Sequence, residues 1–300
     1  MTAGRVVVTG AGGFIGAAVV RAFAAAGRDV MPWTRERGDL ATVSEEALVR
    51  MLDGAFAVLH LAGRAHTTDA ARLHRDNVDA TARLAAAACR AGVTRFILVS
   101  SVKVNGECTQ PGRPFAPDAL PAPQDGYARS KLDGERALVA AITGARMAAT
   151  IVRLPLVYGP GAPANFAALV EAVRQRRLLP LGAVDNRRHL ASLGNLVDAF
   201  AAALDVAQPV TGVHFIADAD SVSTPQLLRA IAAALGVAPR LLDVPVPLLR
   251  IAGTLAGRRS IVDRLTRSLE VDVGSYMRAT GWRPRPFHID GATVEVAGGR

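Results

Sequence analysis

The chain has 300 residues, half of them hydrophobic, so it can bury the core of one large α/β unit or of two unequal lobes. Its net charge is +9, but the basic residues are scattered and are not interleaved with aromatic side chains, which argues against a nucleic-acid partner. Charged residues interrupt each apolar run before it reaches the roughly 18 residues that a membrane span requires. With two cysteines and no room for a signal peptide before the first strand, we expect a cytoplasmic protein without membrane insertion.

The first predicted element is a buried strand followed by a glycine turn and a helix. Three valines at residues 6–8 favour a strand that is buried on both faces, and an alanine-rich apolar segment at 17–26 favours a helix. Between them, Gly10 gives the turn its backbone freedom, Gly13 leaves room for a pyrophosphate, and Gly16 lets the helix pack closely on the strand. The spacing G-x-x-G-x-x-G is a variant of the dinucleotide-binding fingerprint. The alternative is a glycine-rich turn in another kind of α/β protein.

Strand and helix patterns alternate along the rest of the first half. We predict strands at residues 29–33, 55–61, 95–101 and 150–154. We predict helices at 44–51, starting at Ser44, and at 77–91 and 127–141, with an exposed proline-rich loop at 110–124. This alternation indicates a doubly wound parallel sheet, the Rossmann type of α/β fold.

A proline- and glycine-rich stretch at residues 155–163 marks a change in organisation. Beyond it we predict a helix at 166–176, a strand at 214–217 and a helix at 225–235. We therefore divide the chain into a dinucleotide-binding domain at 1–159, with a returning segment near 190–216, and a smaller C-terminal substrate lobe at 160–300. This lobe is expected to cover the edge of the sheet where ligands bind in such folds.

Tyr127 and Lys131 are four residues apart and therefore share one face of a predicted helix. A nearby ammonium favours phenolate over phenol, so we expect Lys131 to lower the pKa of Tyr127 and to make it a general acid/base for a carbonyl or carbinol oxygen. Ser101, at the end of a predicted strand, can offer its hydroxyl to the same oxygen. The alternative is a solvated pair on a helix surface, but a glycine turn and a strand-end serine in the right order favour catalysis.

Four histidines are candidates for metal ligands. His60, His66, His189 and His214 match no ligand motif in their spacing. We therefore predict structural histidines and no metal site.

Several further motifs follow in order along the chain. They are Thr-Gly-Ala-Gly-Gly-Phe-Ile-Gly at 9–16, Asp-Leu at 39–40, His-Leu-Ala-Gly at 60–63, Val-Ser-Ser at 99–101, Tyr-Ala-Arg-Ser-Lys at 127–131, Arg-Leu-Pro-Leu-Val-Tyr-Gly-Pro-Gly at 153–161 and Gly-Trp-Arg-Pro at 281–284. Together they resemble the extended short-chain dehydrogenases/reductases that act on nucleotide sugars, the NAD-dependent epimerase/dehydratase family. The stretches 101–107 and 160–166 are most similar to a bacterial subgroup linked to O-antigen and other surface polysaccharides. That likeness implies a UDP-linked N-acetylhexosamine derivative as substrate.

The resemblance also implies roles for individual residues. Ser101, Tyr127 and Lys131 would be catalytic, and Lys131 would also hold the nicotinamide ribose. The other cofactor-binding residues would be Gly10, Gly13, Phe14, Ile15, Gly16, Thr34, Arg35, Asp39, Leu40, Leu61, Ala62, Gly63 and Pro155. The substrate-binding residues would be Lys103, Asn165 and Arg188, of which the last two would grip the diphosphate.

The end of the second strand departs from the family pattern. Members that bind NAD usually place an acid there, where it accepts a hydrogen bond from the ribose 2′-hydroxyl. Thr34 and Arg35 stand at that position in this chain, and an arginine suits a 2′-phosphate. The sequence therefore favours NADP over NAD as cofactor, the alternative being that Arg35 is an ordinary exposed loop residue.

The resemblance leaves three functions open. Dehydratases of the family place an acid directly after the catalytic serine or threonine, whereas Val102 and Lys103 follow Ser101 here, which argues against dehydration. Asn105 stands where many epimerases carry tyrosine. We favour a 4-ketoreductase with an exchangeable cofactor; the alternatives are a UDP-sugar 4-epimerase with tightly bound NAD and a non-catalytic dinucleotide sensor. Whether two chains pair as a homodimer is left open.

Overall fold

The computed structural model describes residues 4–65 and 67–295. The strands are β1 Arg5–Thr9, β2 Val30–Trp33, β3 Ala55–His60, β4 Arg95–Ser101, β5 Ala148–Leu154, β6 Leu156–Tyr158, β7 Leu190–Ser192 and β8 Gly212–Phe215. Within the described ranges, six of them form one parallel sheet in the order β2-β1-β3-β4-β5-β8, and β6 pairs with β7. Because β2 and β3 lie on opposite sides of β1, a crevice opens at the carboxyl ends of β1 and β3. The prediction of a doubly wound α/β fold is confirmed.

Helices cover both faces of the large sheet. The helices are α1 Phe14–Ala25, α2 Glu45–Met51, α3 Ala70–His74, α4 Ala80–Arg90, α5 Gly126–Ala141, α6 Ala164–Arg174, α7 Leu193–Asp205, α8 Thr224–Ala234, α9 Val246–Leu255, α10 Arg259–Thr266 and α11 Gly274–Thr280. Alternate residues of a strand point to opposite faces, so Val6 and Val8 pack under α1, α7 and α11 while Val7 packs under α2, α4 and α5. All three valines are fully buried, which explains the continuous apolar run in β1. No helix in the described ranges is long and apolar enough to cross a membrane.

Local signals set the ends of two helices in the first half. Ser44 caps α2, since its hydroxyl accepts a hydrogen bond from the Ala47 amide at 3.2 Å, so the predicted start is confirmed. The helix predicted from residue 77 begins as α4 at Ala80, because a wider helical turn at Arg75–Asp79 precedes it. Such turns are frequent at functional sites, and this one lies beside the crevice.

The second half of the chain contributes to two different cores. The segment near 190–216 provides α7 and β8, and β8 pairs with β5 in the large sheet. A separate cluster contains Tyr158, Phe166 from α6, and Leu228 and Ile231 from α8, with α9 and α10 packed beside it. The assignment of residues 160–300 as a substrate lobe stays a prediction.

Three of the four histidines noted above make hydrogen bonds within the protein. His60 contacts the Thr9 hydroxyl at 2.6 Å and the Thr81 hydroxyl at 3.1 Å. His189 accepts from the Val271 amide at 3.1 Å, and His214 lies 3.0 Å from the hydroxyl of Ser275. His66 lies outside the described residues. Within the described part of the chain, no group of three histidines, cysteines or carboxylates could hold a metal ion.

Candidate active site

The glycine turn after β1 is shaped by close backbone approaches. Gly10 has a φ of +68°, and a Cβ added there would lie 2.6 Å from the backbone nitrogen of Ala62. A Cβ on Gly16 would lie 2.2 Å from the carbonyl oxygen of Gly10. Only glycine is therefore accommodated at these two positions. No side chain caps the first turn of α1, so its backbone N–H groups are available to an anion.

A cleft of about 410 Å³ opens beside this turn, at the crevice between β1 and β3. The residues lining it are Gly10, Gly12, Gly13, Trp33, Thr34, Arg35, Gly38, Asp39, Leu40, Leu61, Ala62, Gly63, Asp76 and Ala80. Nine of these were predicted from the sequence as cofactor-binding residues, and the structure brings those nine together. Their glycine-lined wall and free helix N-terminus fit the diphosphate of a dinucleotide.

The other predicted cofactor residues lie around this cleft without lining it. Phe14 packs against the cluster of α6 and α8, and Ile15 packs against the core under α1. Gly16 lies behind the turn against Gly10. Pro155 is buried between β5 and β6. Their direct contact with a cofactor stays a prediction.

A group of arginines surrounds one buried carboxylate at the edge of the cleft. Asp76 is 8% exposed; it pairs with Arg64, with Arg75 at 2.8 Å and with Arg35 at 3.7 Å. Burial acts to raise the pKa of Asp76, but hydrogen bonds from Arg75 and Arg64 outweigh it and hold the pKa below its usual value. Asp39 also lies 3.7 Å from Arg75, so three cations face two carboxylates and this edge keeps one excess positive charge. Arg35 was predicted from the sequence. Arg64, Arg75 and Asp76 were not, because no sequence motif links them.

The three predicted catalytic residues lie together at the ends of β4 and α5. Ser101 ends β4, and its hydroxyl lies close enough to the phenol of Tyr127 to influence the pKa of that phenol. Lys131, one turn along α5, donates from Nζ to the Val99 carbonyl at 2.7 Å. A Cβ on Gly63 would lie 3.6 Å from this Nζ, so Lys131 reaches the wall of the cleft.

The prediction that Lys131 lowers the pKa of Tyr127 is wrong. Burial of the phenol raises its pKa, against the opposing effects of the Ser101 hydrogen bond and the charge of Lys103. The Lys131 ammonium donates to the Val99 carbonyl instead. Its own pKa is lowered to about 8 by burial, an effect that the charge of Glu135 partly offsets. Tyr127 is therefore a protonated phenol at neutral pH, not a preformed phenolate.

Among the described residues, no hydrogen bond or ion pair joins the predicted substrate residues directly, although Glu107 interacts with both Lys103 and Arg188. Lys103 Nζ lies 2.7 Å from Asp125 and 2.8 Å from Glu107. Because Asp125 also caps α5 by accepting from the Ala128 amide at 2.7 Å, Lys103 helps to position the turn that carries Tyr127. Its contact with a substrate stays a prediction.

Arg188 and Asn165 have different surroundings. Arg188 donates from Nη1 to the Arg267 carbonyl at 2.9 Å, and burial lowers its pKa to about 10 while the charge of Glu107 opposes this. A half-buried guanidinium of this kind is suited to an anionic ligand. Asn165 is exposed at the start of α6, and in the described ranges no hydrogen bond or ion pair joins it to Lys103 or Arg188.

Comparison with known proteins agrees with this arrangement. The model of the NAD dependent epimerase/dehydratase family matches residues 6–216, which include the glycine turn, the cleft and the three catalytic candidates. The chain belongs to this family. The resemblance found in the sequence is thus confirmed.

Alignments with individual relatives cover most of the length of this chain. It is 39% identical over 240 residues to a UDP-glucose 4-epimerase of Vibrio cholerae, a match covering 78% of this chain and 73% of that protein. It is 31% identical over 299 residues to a ceramide reductase of Caulobacter vibrioides, covering 94% of this chain and 86% of that one. Among solved structures, MoeE5 in complex with UDP-glucose and NAD superposes with a TM-score of 0.78 at 26% identity, covering 97% and 98% of the two chains.

A buried ion pair supports α5, the helix that carries Tyr127 and Lys131. Arg153 on β5 makes two hydrogen bonds to Glu135 on α5, at 2.6 and 3.0 Å, and both side chains are about 5% exposed or less. Ser100 donates to the same carboxylate, and Arg153 donates to Asn105 at 3.0 Å. This network joins β4, β5 and α5 directly behind the three catalytic candidates. Sequence analysis missed it because Arg153 belongs to an otherwise apolar strand pattern.

Proposed function

We propose that this family member is an NAD(P)-dependent nucleotide-sugar oxidoreductase that reduces a 4-keto group of a UDP-linked N-acetylhexosamine derivative. The observation that carries the proposal is the contact between Ser101 and Tyr127, with Lys131 one turn away, at the wall of a glycine-lined cleft. The subgroup resemblance adds a role in bacterial surface polysaccharide synthesis, such as that of O-antigen.

Each catalytic residue has a defined task in this proposal. A nicotinamide cofactor would supply the hydride. The Tyr127 phenol would donate its proton to the carbonyl oxygen of the sugar, since a phenol whose pKa is raised by burial is protonated at neutral pH. The Ser101 hydroxyl would hold the same oxygen and orient it. The Lys131 ammonium would stabilise the phenolate that remains on Tyr127 after proton donation.

The positive edge of the cleft supports NADPH as the reductant. Arg35 is 70% exposed, and its pair with Asp76 is long at 3.7 Å, so its guanidinium can turn towards a 2′-phosphate at the end of β2. Arg64 and Arg75 lie at the same edge, where the carboxylates of Asp76 and Asp39 balance part of the positive charge. A cofactor that arrives reduced and leaves oxidised suits a reductase, whereas an epimerase must keep its cofactor to return the hydride. NAD and a tightly bound cofactor remain the alternative.

We expect Arg35→Ala to lower the preference for NADPH over NADH by roughly 5- to 150-fold, or about 1–3 kcal/mol, because one charged donor to the 2′-phosphate is lost. The measurement is kcat/KM for each cofactor with a UDP-4-keto-6-deoxy-N-acetylhexosamine. Arg37→Ala is the matched control, since Arg37 is exposed in the same short turn and does not line the cleft. An unchanged preference in Arg35→Ala would remove Arg35 from cofactor recognition.

A 4-epimerase is the second candidate, because the Vibrio relative at 39% identity is named as one. The two reactions share the catalytic residues and differ in whether the cofactor leaves. The purified reductase should carry little nucleotide and should consume NADPH stoichiometrically with the keto sugar. Tightly bound NAD with inversion of a UDP-sugar at C4 and no net cofactor consumption would assign the epimerase instead. A non-catalytic sensor would do neither.

We expect Arg188→Ala to weaken UDP-sugar binding by about 1.5–3 kcal/mol, the scale of a charge-assisted hydrogen bond to a diphosphate. Isothermal titration with UDP measures this loss, and cofactor affinity should hardly change. Arg187→Ala serves as control, because Arg187 is the adjacent arginine but its side chain is exposed. A fall of both substrate and cofactor affinity in Arg188→Ala would contradict the assignment.

A further inference from the structure

The surface of α9 and α10 carries an unusual concentration of exposed apolar side chains. In the described ranges, eight large hydrophobic residues are exposed, and five of them lie between residues 242 and 261. Three of these form a stripe on α9: Leu248, Ile251 and Leu255, which are 57%, 59% and 85% exposed. Their spacing of three and four residues places them on one helix face.

This stripe is not part of the protein core. Helix α9 already has an inward face, where Leu249 is buried and Gly253 allows Val262 of α10 to approach closely. Ile251 in the exposed stripe is two residues from Leu249 and from Gly253 on the inward face, which is about 200° around the helix. Helix α9 is therefore apolar on two opposite sides, and only one of them has a partner. Exposed apolar surface of this kind marks an interaction site.

The charges on the two helices around the stripe are mostly positive. Residues 246–266 contain four arginines, Arg250, Arg258, Arg259 and Arg264, against the single acid Asp263, which gives a net charge of +3. Asp263 pairs with Arg250 at 3.6 Å and with Arg259 at 3.7 Å. Arg258 is exposed at the turn between the two helices. An anionic partner complements this surface.

We propose that the hairpin of α9 and α10 docks the protein on an anionic lipid membrane. A helix with an apolar stripe and arginines beside it lies in the plane of the interface, with its apolar side chains among the acyl chains and its cations at the lipid phosphates. A second copy of the chain fits less well, because a two-fold interface would bring the same arginines face to face. The association is peripheral and uses exposed side chains of α9 and α10.

The C-terminal end of α10 contacts a predicted substrate residue. Helix α10 ends at Thr266, and the next carbonyl, that of Arg267, accepts the hydrogen bond from Arg188. The docking proposal rests on the surface alone and holds whichever reaction the site performs.

The test is sedimentation of the full chain with vesicles of phosphatidylcholine and phosphatidylglycerol, compared with vesicles of phosphatidylcholine alone. We expect the parent protein to bind the anionic vesicles and to be released by salt. Ile251→Ser combined with Leu255→Ser should weaken binding at least about ten-fold, because two side chains no longer enter the apolar layer. Val139→Ser is the matched control, since Val139 is 52% exposed on α5, outside this surface.

A charge variant gives an independent measurement that does not depend on the apolar substitutions. Arg258→Gln should weaken binding to anionic vesicles about five-fold, whereas Arg21→Gln, an exposed arginine on α1, should not. Thermal unfolding and cofactor binding should be unchanged in these variants. The proposal is overturned if the parent stays in solution with anionic vesicles, or if the double variant binds them as the parent does. It is also overturned if the stripe instead drives self-association, seen as a dimer that the double variant abolishes.

Discussion

Tyr127→Phe is expected to lower turnover about 10²- to 10⁴-fold, the usual contribution of a general acid or base. The substitution removes one hydroxyl, which lies close to Ser101, and keeps the aromatic ring. Cofactor affinity and thermal stability should therefore stay close to those of the parent. The measurement is steady-state reduction of the keto sugar with NADPH. Activity within a few-fold of the parent would remove Tyr127 from its assigned role.

The pH profile of the same reaction provides a second readout. Because burial lowers the pKa of Lys131 to about 8, its amino group loses its charge as the pH rises through that value. The phenolate left by proton donation is then no longer stabilised, so reductive turnover of the parent should fall above about pH 8. The residual activity of Tyr127→Phe should lack this fall. A parent profile that is flat across this range would contradict the role given to the Lys131 charge.

The features that depend on local sequence could be predicted. The turn at Gly10, the cap at Ser44 and the face shared by Tyr127 and Lys131 each follow from residue types at short spacing. The doubly wound sheet follows from alternating patterns, and most of the cleft lining follows from the family motifs. These are the parts of the site in which neighbouring residues in the chain determine the geometry.

The features that depend on packing could not be predicted. Asp76 pairs with Arg35 and Arg64, which are distant from it in sequence, and with its neighbour Arg75. Lys103 pairs with Asp125 at the other end of a long loop. The pKa of Tyr127 moves opposite to the expected direction, because its burial is a property of the folded chain and not of the helix that carries it. Spacing alone places Lys131 near Tyr127, but it does not reveal the Val99 carbonyl to which the ammonium donates.

Arg153→Met is expected to destabilise the protein by about 3–5 kcal/mol, because it leaves the buried carboxylate of Glu135 without its cation. The loss should be measured as the free energy of unfolding in a denaturant titration. Arg136→Met is the matched control on the same helix: Arg136 pairs with Asp133 at 3.2 Å, but its side chain is 69% exposed. Such a pair contributes less than about 1 kcal/mol. Equal losses in the two variants would show that the buried network does not stabilise α5 against β5.

Combining Arg153→Met with Glu135→Leu separates the pair's contribution to stability from its contribution to catalysis. With both charges gone, no buried ion is left unpaired, so the double variant should recover part of the stability that Arg153→Met loses. Its activity should not recover in the same way. The charge of Glu135 opposes the lowering of the pKa of Lys131, so without it that pKa should fall further and the high-pH loss of turnover should begin below about pH 8. A double variant with the parent's pH profile would confine Glu135 to a structural role.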